Sequence, residues 1–147
     1  MDTSHWLLLI CTLMCFYCTG ASWMLQVVCY PTYALVGSQE FVPFHVDFGQ
    51  RLIKAAVIPM MLTALATFVL VFLRPATVPL WAALVVAACS AIILATTIIL
   101  EVPKHNQLDR EGKSDQVIEA LVRDNLPRVA CWTLASLLLT YMVTLAF

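Results

Sequence analysis

The chain has 147 residues, 62% of them apolar and 12% charged, with a formal net charge of −1. So apolar a composition excludes an ordinary soluble domain, and the near-neutral balance argues against a nucleic-acid partner. The length leaves little for a separate soluble domain, so residues 1–147 are read as one all-α unit. That unit is an integral membrane four-helix up-down bundle whose second and fourth helices begin in amphipathic extensions.

Four stretches reach the roughly 20 apolar residues needed to cross a hydrocarbon core: about 6–30, 52–73, 79–100 and 129–147. The lipid bilayer is thus the first partner. No basic residue precedes Trp6, so the first span is expected to be retained rather than cleaved as an export signal. Within it Cys11, Cys15 and Cys18, at i, i+4 and i+7, fall on one helical face. Thiols on one face cannot pair with good disulfide geometry, and small apolar packing fits them better than redox chemistry. Trp23, Gln26, Tyr30 and Tyr33 follow at spacings of three and four and are predicted to share a face. Gln26 either hydrogen-bonds a neighbouring helix or lines a site beside Tyr30. Pro31 and GSQE, residues 37–40, end or kink the helix.

The second helix is predicted to open amphipathically, Phe41, Phe44 and Phe48 alternating with His45, Asp47, Gln50, Arg51 and Lys54. Pro59 is expected to kink its apolar part and leave a backbone carbonyl without its usual partner. RPATVP, residues 74–79, is a short, stiff connection to an antiparallel third span. That span is rich in Ala, Ser and Thr, which lets helices approach closely and offers a face for a homo-oligomer. EVPKHNQLD, residues 101–109, comes next; Pro103 disfavours helical geometry at Val102 and is expected to loosen the chain there. DREGKSD, residues 109–115, reads as a solvated turn. Ser114 is predicted to cap a fourth helix, with Asp115 in its first turn and Val117, Ile118, Leu121 and Val122 on its apolar side.

Apart from Asp2 and Arg74, every Asp, Glu, Lys and Arg lies in 40–54 or 101–128. Four antiparallel spans put both segments at one pole. The excess of Lys and Arg there predicts that this pole is cytoplasmic, in a cell inner membrane, with both termini outside.

Such a bundle would bring Gln26, His45, Glu101, His105, Asn106, Asn125 and Arg128 to one depth, where bundles build sites from inward side chains. Ionisable groups cost about 2.5–3.5 kcal/mol each at mid-bilayer and less near the interface, so their presence asks for a reason. One is a transition metal (iron, copper or zinc) held by His45, Glu101 and His105 as two imidazoles and a carboxylate, though Pro103 stands between Glu101 and His105. A second is acid–base chemistry by His45 and His105, and a third is interfacial solvation with salt bridges. On the fourth helix Asn125, Arg128 and Trp132 offer an amide, a fixed positive charge and an aromatic surface. They suit either an anionic oxygen or anchorage at the membrane edge.

The runs TTIILEVPKHNQL (96–108) and VRDNLPRVACW (122–132) resemble the hallmark of small four-span membrane proteins related to the anthrone oxygenases. In these an apolar span leads to a proline, a polar pair with asparagine and a leucine, and later to an asparagine followed by arginine. The likeness runs from about Gly20 to the last span and falls on Pro103, Asn106, Leu108, Asn125 and Arg128. It implies a four-helix membrane bundle and, for some relatives, oxidation of an anthrone to an anthraquinone by molecular oxygen. Lys104-His105 and His45 depart from the commoner pattern. Two expectations follow. One is an oxygenase-like oxidoreductase acting on a hydrophobic aromatic small molecule, with His45 or His105 as base, Asn125 and Arg128 stabilising an anion, and Gln26, Tyr30, Asn106 and Trp132 contacting substrate. The other is a non-enzymatic accessory or ion- or metal-binding bundle.

Overall fold

A computed structural model describes residues 2–147. Four helices carry the chain: α1 Thr3–Tyr33, α2 Phe41–Leu73, α3 Leu80–Glu111 and α4 Asp115–Ala146, each long and apolar enough to cross a membrane. Consecutive helices pack side by side, and α1 closes the ring against α4, giving an up-down bundle. At 31 to 33 residues each, the helices run about 47–50 Å, well beyond a hydrocarbon core of about 30 Å. The surplus gathers at the pole carrying residues 34–40 and 112–114, as a helical cap on the apolar bundle. The expected spans were therefore the lipid-crossing parts of longer helices.

Two cores correspond to the two regions. In the apolar bundle Leu8, Cys11, Cys15, Cys18, Val86, Cys89, Trp132 and Leu139 are buried, so the cysteine stripe of α1 is packing. All six cysteines are free. Leu13, Phe72 and Leu137 point outward, as lipid-facing side chains do. Hydroxyls tie the spans together, Thr19 to Ser136 at 2.8 Å and Thr67 to Ser90 at 2.8 Å, which suits close helix packing in lipid. In the cap, Leu25, Tyr30, Tyr33, Phe41, Leu108, Ile118 and Leu121 form a second core. The amphipathic starts of α2 and α4 bury their apolar faces there.

Pro31, Pro59 and Pro103 lie within continuous helix, so the chain does not loosen at Pro103 as expected. Three π-turns, Leu25–Cys29, Ile53–Val57 and Thr97–Glu101, each end two residues before a proline: Pro31, Pro59 and Pro103. In each, the residue before the proline reaches back five positions: Tyr30 N–H to the Leu25 carbonyl, Ile58 to Ile53 and Val102 to Thr97. Proline lacks an N–H and its ring crowds the carbonyl four residues earlier, and one widened turn accommodates both while the helix continues. The carbonyl that Pro59 leaves without its helical donor, that of Ala55, accepts instead from the Tyr17 hydroxyl at 2.7 Å.

A π-turn adds a residue, and the buried face of α1 shifts accordingly, from Ser22 and Leu25 to Tyr30 and Tyr33. Trp23 therefore leaves the face of Tyr30, is half exposed, and donates to Thr133 at 3.2 Å. The solvated turn also shortens, because α3 runs to Glu111 and ends at Gly112, whose positive φ of 86° is one that glycine adopts readily. Ser114 caps α4 as expected, accepting from Val117 N–H at 3.5 Å. At the opposite pole Asp2 caps α1 through Ser4 and His5, and the His5 contact is the largest influence holding its carboxyl well below the usual carboxylate range. The His5 ring reaches the same carboxylate, Nδ1 to Oδ1 at 2.7 Å.

Candidate functional site

The first turns of α2 cross the last turns of α3 in the cap. Stacking on Phe41, with ring centroids 5.5 Å apart, and the edge of Tyr33 at 5.2 Å hold the His45 ring almost wholly out of solvent. The Phe-rich rhythm of 41–48 thus fixes a histidine rather than merely dipping into lipid. His45 Nδ1 lies 2.6 Å from Asp109 Oδ1, and His45 Nε2 lies 3.0 Å from His105 Nδ1.

The proton positions follow from what each group can do. An ionised carboxylate only accepts, so His45 Nδ1–H donates to Asp109. In the neutral tautomer His45 Nε2 must then accept, and His105 Nδ1–H donates to it. This leaves His105 Nε2 as the bare basic nitrogen at the end of the chain, with the Tyr30 hydroxyl at a long 3.5 Å. A proton taken up at His105 Nε2 allows the Nδ1 proton to pass to His45. The positive charge then rests beside Asp109, whose side chain is 38% exposed at the water-facing end.

The other expected residues divide between separate tasks. Glu101 turns to Arg128, Oε2 to Nη1 at 3.4 Å, and both side chains are buried. Neither Glu101 oxygen has an aligned hydrogen-bond donor in the protein, so the attraction there is Coulombic. Gln26 donates to the Val122 carbonyl at 3.0 Å and accepts from the Asn125 amide at 2.8 Å, which bolts α1 to the turn at Asn125 that interrupts α4. Trp132 is core. Asn106 is exposed at the cap. The metal triad does not assemble: Arg128 draws Glu101 away, both nitrogens of His45 are engaged, and no three His, Cys, Asp or Glu side chains gather as a ligand set among the described residues.

Sequence reasoning missed Asp109, placed in a solvated turn, and the Lys104–Asp124 ion pair, 2.9 Å, that links α3 to α4. The signal for Asp109 was its position four residues after His105, which matters only if the helix survives Pro103. Because the π-turn absorbs the proline, Glu101, His105 and Asp109 stand on one continuous helix at steps of four.

The relay faces a cavity of about 560 Å³ between α2 and α3, of a size that holds small organic ligands. Its wall combines His45, His105, Asn106, Asp109 and Gln50 with apolar Val46, Leu52, Ile53, Val57 and Val102. A second groove of about 590 Å³ separates α1 and α2. Its one charged member, Arg51, is already paired with Asp47 at 2.8 Å, and its Tyr17 hydroxyl is committed to Ala55. The histidine-lined cavity is thus the chemically equipped one.

The Gln26 clasp leads to a direct expectation. Gln26→Ala leaves the buried Asn125 amide and the Val122 carbonyl without partners. Each orphaned group costs about 1–3 kcal/mol, so a clear fall in thermal unfolding temperature is expected in detergent, with a smaller one for Gln26→Glu.

Fold and site together define a multi-pass helical membrane protein with an Asp–His–His relay at one pole, buried at His45 and open to water at Asp109. Comparison with family models, curated proteins and solved structures finds no match to this chain.

Proposed function

We propose that this protein is a membrane oxidoreductase of the anthrone-oxygenase kind. His105, backed by His45 and Asp109, would remove a proton from a weakly acidic carbon of a hydrophobic aromatic substrate. The observation that supports this reading is a relay ending in His105 Nε2, which has only the Tyr30 hydroxyl at a long 3.5 Å beside it, with His45 and His105 in the wall of a largely apolar cavity. Acid–base work of this kind needs a positioned base and a low-dielectric site, and both are present.

For an anthrone, loss of one proton from the CH₂ between two aryl rings gives a resonance-stabilised anion. That carbon bonds molecular oxygen, which is reduced to a hydroperoxide. Loss of water then yields the ketone, so that CH₂ and O₂ become C=O and H₂O. The relay returns its first proton to the peroxide oxygen, takes up the second proton of the former CH₂ as the O–O bond breaks, and passes it to the departing hydroxide to give water. Asn106 and Gln50 offer amides to the substrate oxygens, whereas Asn125, Arg128 and Gln26 hold the frame and act on substrate only through it. The charged pole would face the cytoplasm, following the bias of Lys and Arg.

Oxygen uptake by the purified protein in lipid nanodiscs tests this, with an anthrone as substrate. One O₂ consumed per quinone formed, slowed when the acidic carbon carries deuterium, is the expected result. Uptake no faster than in protein-free nanodiscs overturns the reading and favours an accessory role.

A further inference from the structure

The three π-turns sit at one level, where the apolar bundle meets the cap, and two of them, Ile53–Val57 and Thr97–Glu101, belong to neighbouring helices. Above this level α2 and α3 pack along 58–73 and 80–96, and below it 41–52 packs on 102–111; between the two turns a cavity lined by Ile53, Val57, Thr97 and Val102 opens. The physical cause is local. A π-turn widens the helix, and the following proline ring adds bulk where a neighbour would otherwise settle. The gap opens into the histidine-lined cavity. Its edges are Ile53 and Val102, both about half exposed on the lipid-facing side, with Val57 and Thr97 behind them.

The cavity is also graded along the helix axes. Val57, Ile53 and Thr97 lie toward the apolar bundle, and His45, His105, Asn106 and Asp109 toward the charged pole. That is the gradient of an amphiphile lying in one leaflet, body in hydrocarbon and head at the interface. The head's chemistry follows from the wall. Asp109 is the one formally charged residue lining the cavity. No Lys or Arg lines the cavity: Lys104 is committed to Asp124 and the Leu100 carbonyl, Arg128 to Glu101 and Arg51 to Asp47, while Lys54 and Arg110 point to the exposed surface outside the lining. A carboxylate head would meet Asp109 with like charge. A hydroxyl would donate to a carboxylate or an amide oxygen.

We infer that the gap between the paired π-turns is a lateral portal through which a neutral, hydroxyl-bearing lipophile passes from the bilayer into the cavity, in preference to a fatty acid. The inference names the ligand class and route for the site proposed above. It is read by binding, so it stands or fails independently of whether oxygen is consumed.

The test uses the full chain in phosphatidylcholine nanodiscs, photolabelled with a diazirine-bearing long-chain alkylphenol, a matched diazirine fatty acid and a matched diazirine hydrocarbon. Labelled residues are mapped by mass spectrometry. Expected is labelling concentrated in 46–57 and 97–109, about tenfold stronger for the phenol than for the fatty acid, as one favourable against one repelled head-group contact would produce. Val57→Trp narrows the portal from behind its Ile53 edge and is expected to cut this labelling about tenfold, the scale of one lost subsite contact. Val102→Trp narrows it from the other edge, should the first variant fail to fold. Asp109→Asn is expected to raise the fatty acid toward the phenol. Equal labelling by phenol and fatty acid in the native protein overturns the inference. So does labelling unchanged by both tryptophan variants, or spread evenly over the lipid-facing residues of all four helices as with the hydrocarbon, which would mean ordinary lipid contact.

Discussion

Arg128→Ala is expected to destabilise the bundle by about 3–5 kcal/mol, the scale for removing one member of a buried ion pair. Arg128 and Glu101 are 8% and 2% exposed at their side chains, 3.4 Å apart, at the junction of α3 and α4. The loss comes less from the pair's own attraction than from what is left behind. Without the guanidinium, the Glu101 carboxylate is a buried charge with no aligned donor in the protein. Restoring electrical balance should therefore restore stability: Glu101→Gln with Arg128→Met should regain most of the loss, because a well-packed neutral pair often equals a buried ionic one. Thermal unfolding in detergent, followed by the fluorescence of the buried Trp132, measures both variants. A single variant within about 1 kcal/mol of the native protein, the range of an exposed pair, would show that the ion pair does not bear on the frame.

Under the function proposed above, His105→Ala is expected to lower anthrone turnover by roughly 10²–10⁴-fold, the usual contribution of a positioned general base. His105 Nε2 is the least engaged nitrogen of the relay, with only the Tyr30 hydroxyl at 3.5 Å, whereas both nitrogens of His45 are held at 2.6 and 3.0 Å. The variant should still fold, because the His45 ring keeps its stacking on Phe41 and its contact with Asp109. Asp109 acts through His45 and is a positioning residue. Asp109→Asn removes the charge that stabilises a protonated His45 and is expected to cost about 10²-fold. Asp109→Glu should recover part of that loss, and labelling of the cavity by the alkylphenol should persist in all three variants. Native turnover in His105→Ala would sink the acid–base assignment. Loss of labelling together with turnover would instead mean that the cavity had collapsed.

The architecture was legible because it rests on composition and period. Long apolar runs have few ways to satisfy their backbone in lipid other than as helices, and the clustering of charge at 40–54 and 101–128 gave the pairing of poles. Ser114 was readable as a cap for the same reason, since its effect stays within one turn. The orphaned carbonyl at Pro59 was legible, but the unbroken course of α3 through Pro103 was not, because it depends on whether neighbouring helices support the distorted turn. Tyr17, thirty-eight positions from Ala55, supplies that support at one site. Trp23 and Tyr30 were placed on one face by counting residues, and a single added residue in the π-turn separated them.

The candidate site divides in the same way. That His45, Glu101, His105, Asn125 and Arg128 share a depth was implied by an up-down bundle, and the structure brings all of them to the charged pole. Which of them meet was not implied, because pairing at that depth depends on helix rotation. An unbroken α3 sends Glu101 toward α4 and Arg128, and turns His105 and Asp109 toward α2 and His45. By itself the sequence determined a four-helix membrane bundle with its chemistry at one end, since hydrophobic length and charge distribution are properties of the chain alone. The tertiary structure alone decided that this chemistry is an Asp–His–His relay on an open cavity and a separate Glu–Arg tie. Hydrogen bonds of 2.6 and 3.0 Å depend on side-chain azimuth, and azimuth is set where one helix packs against another.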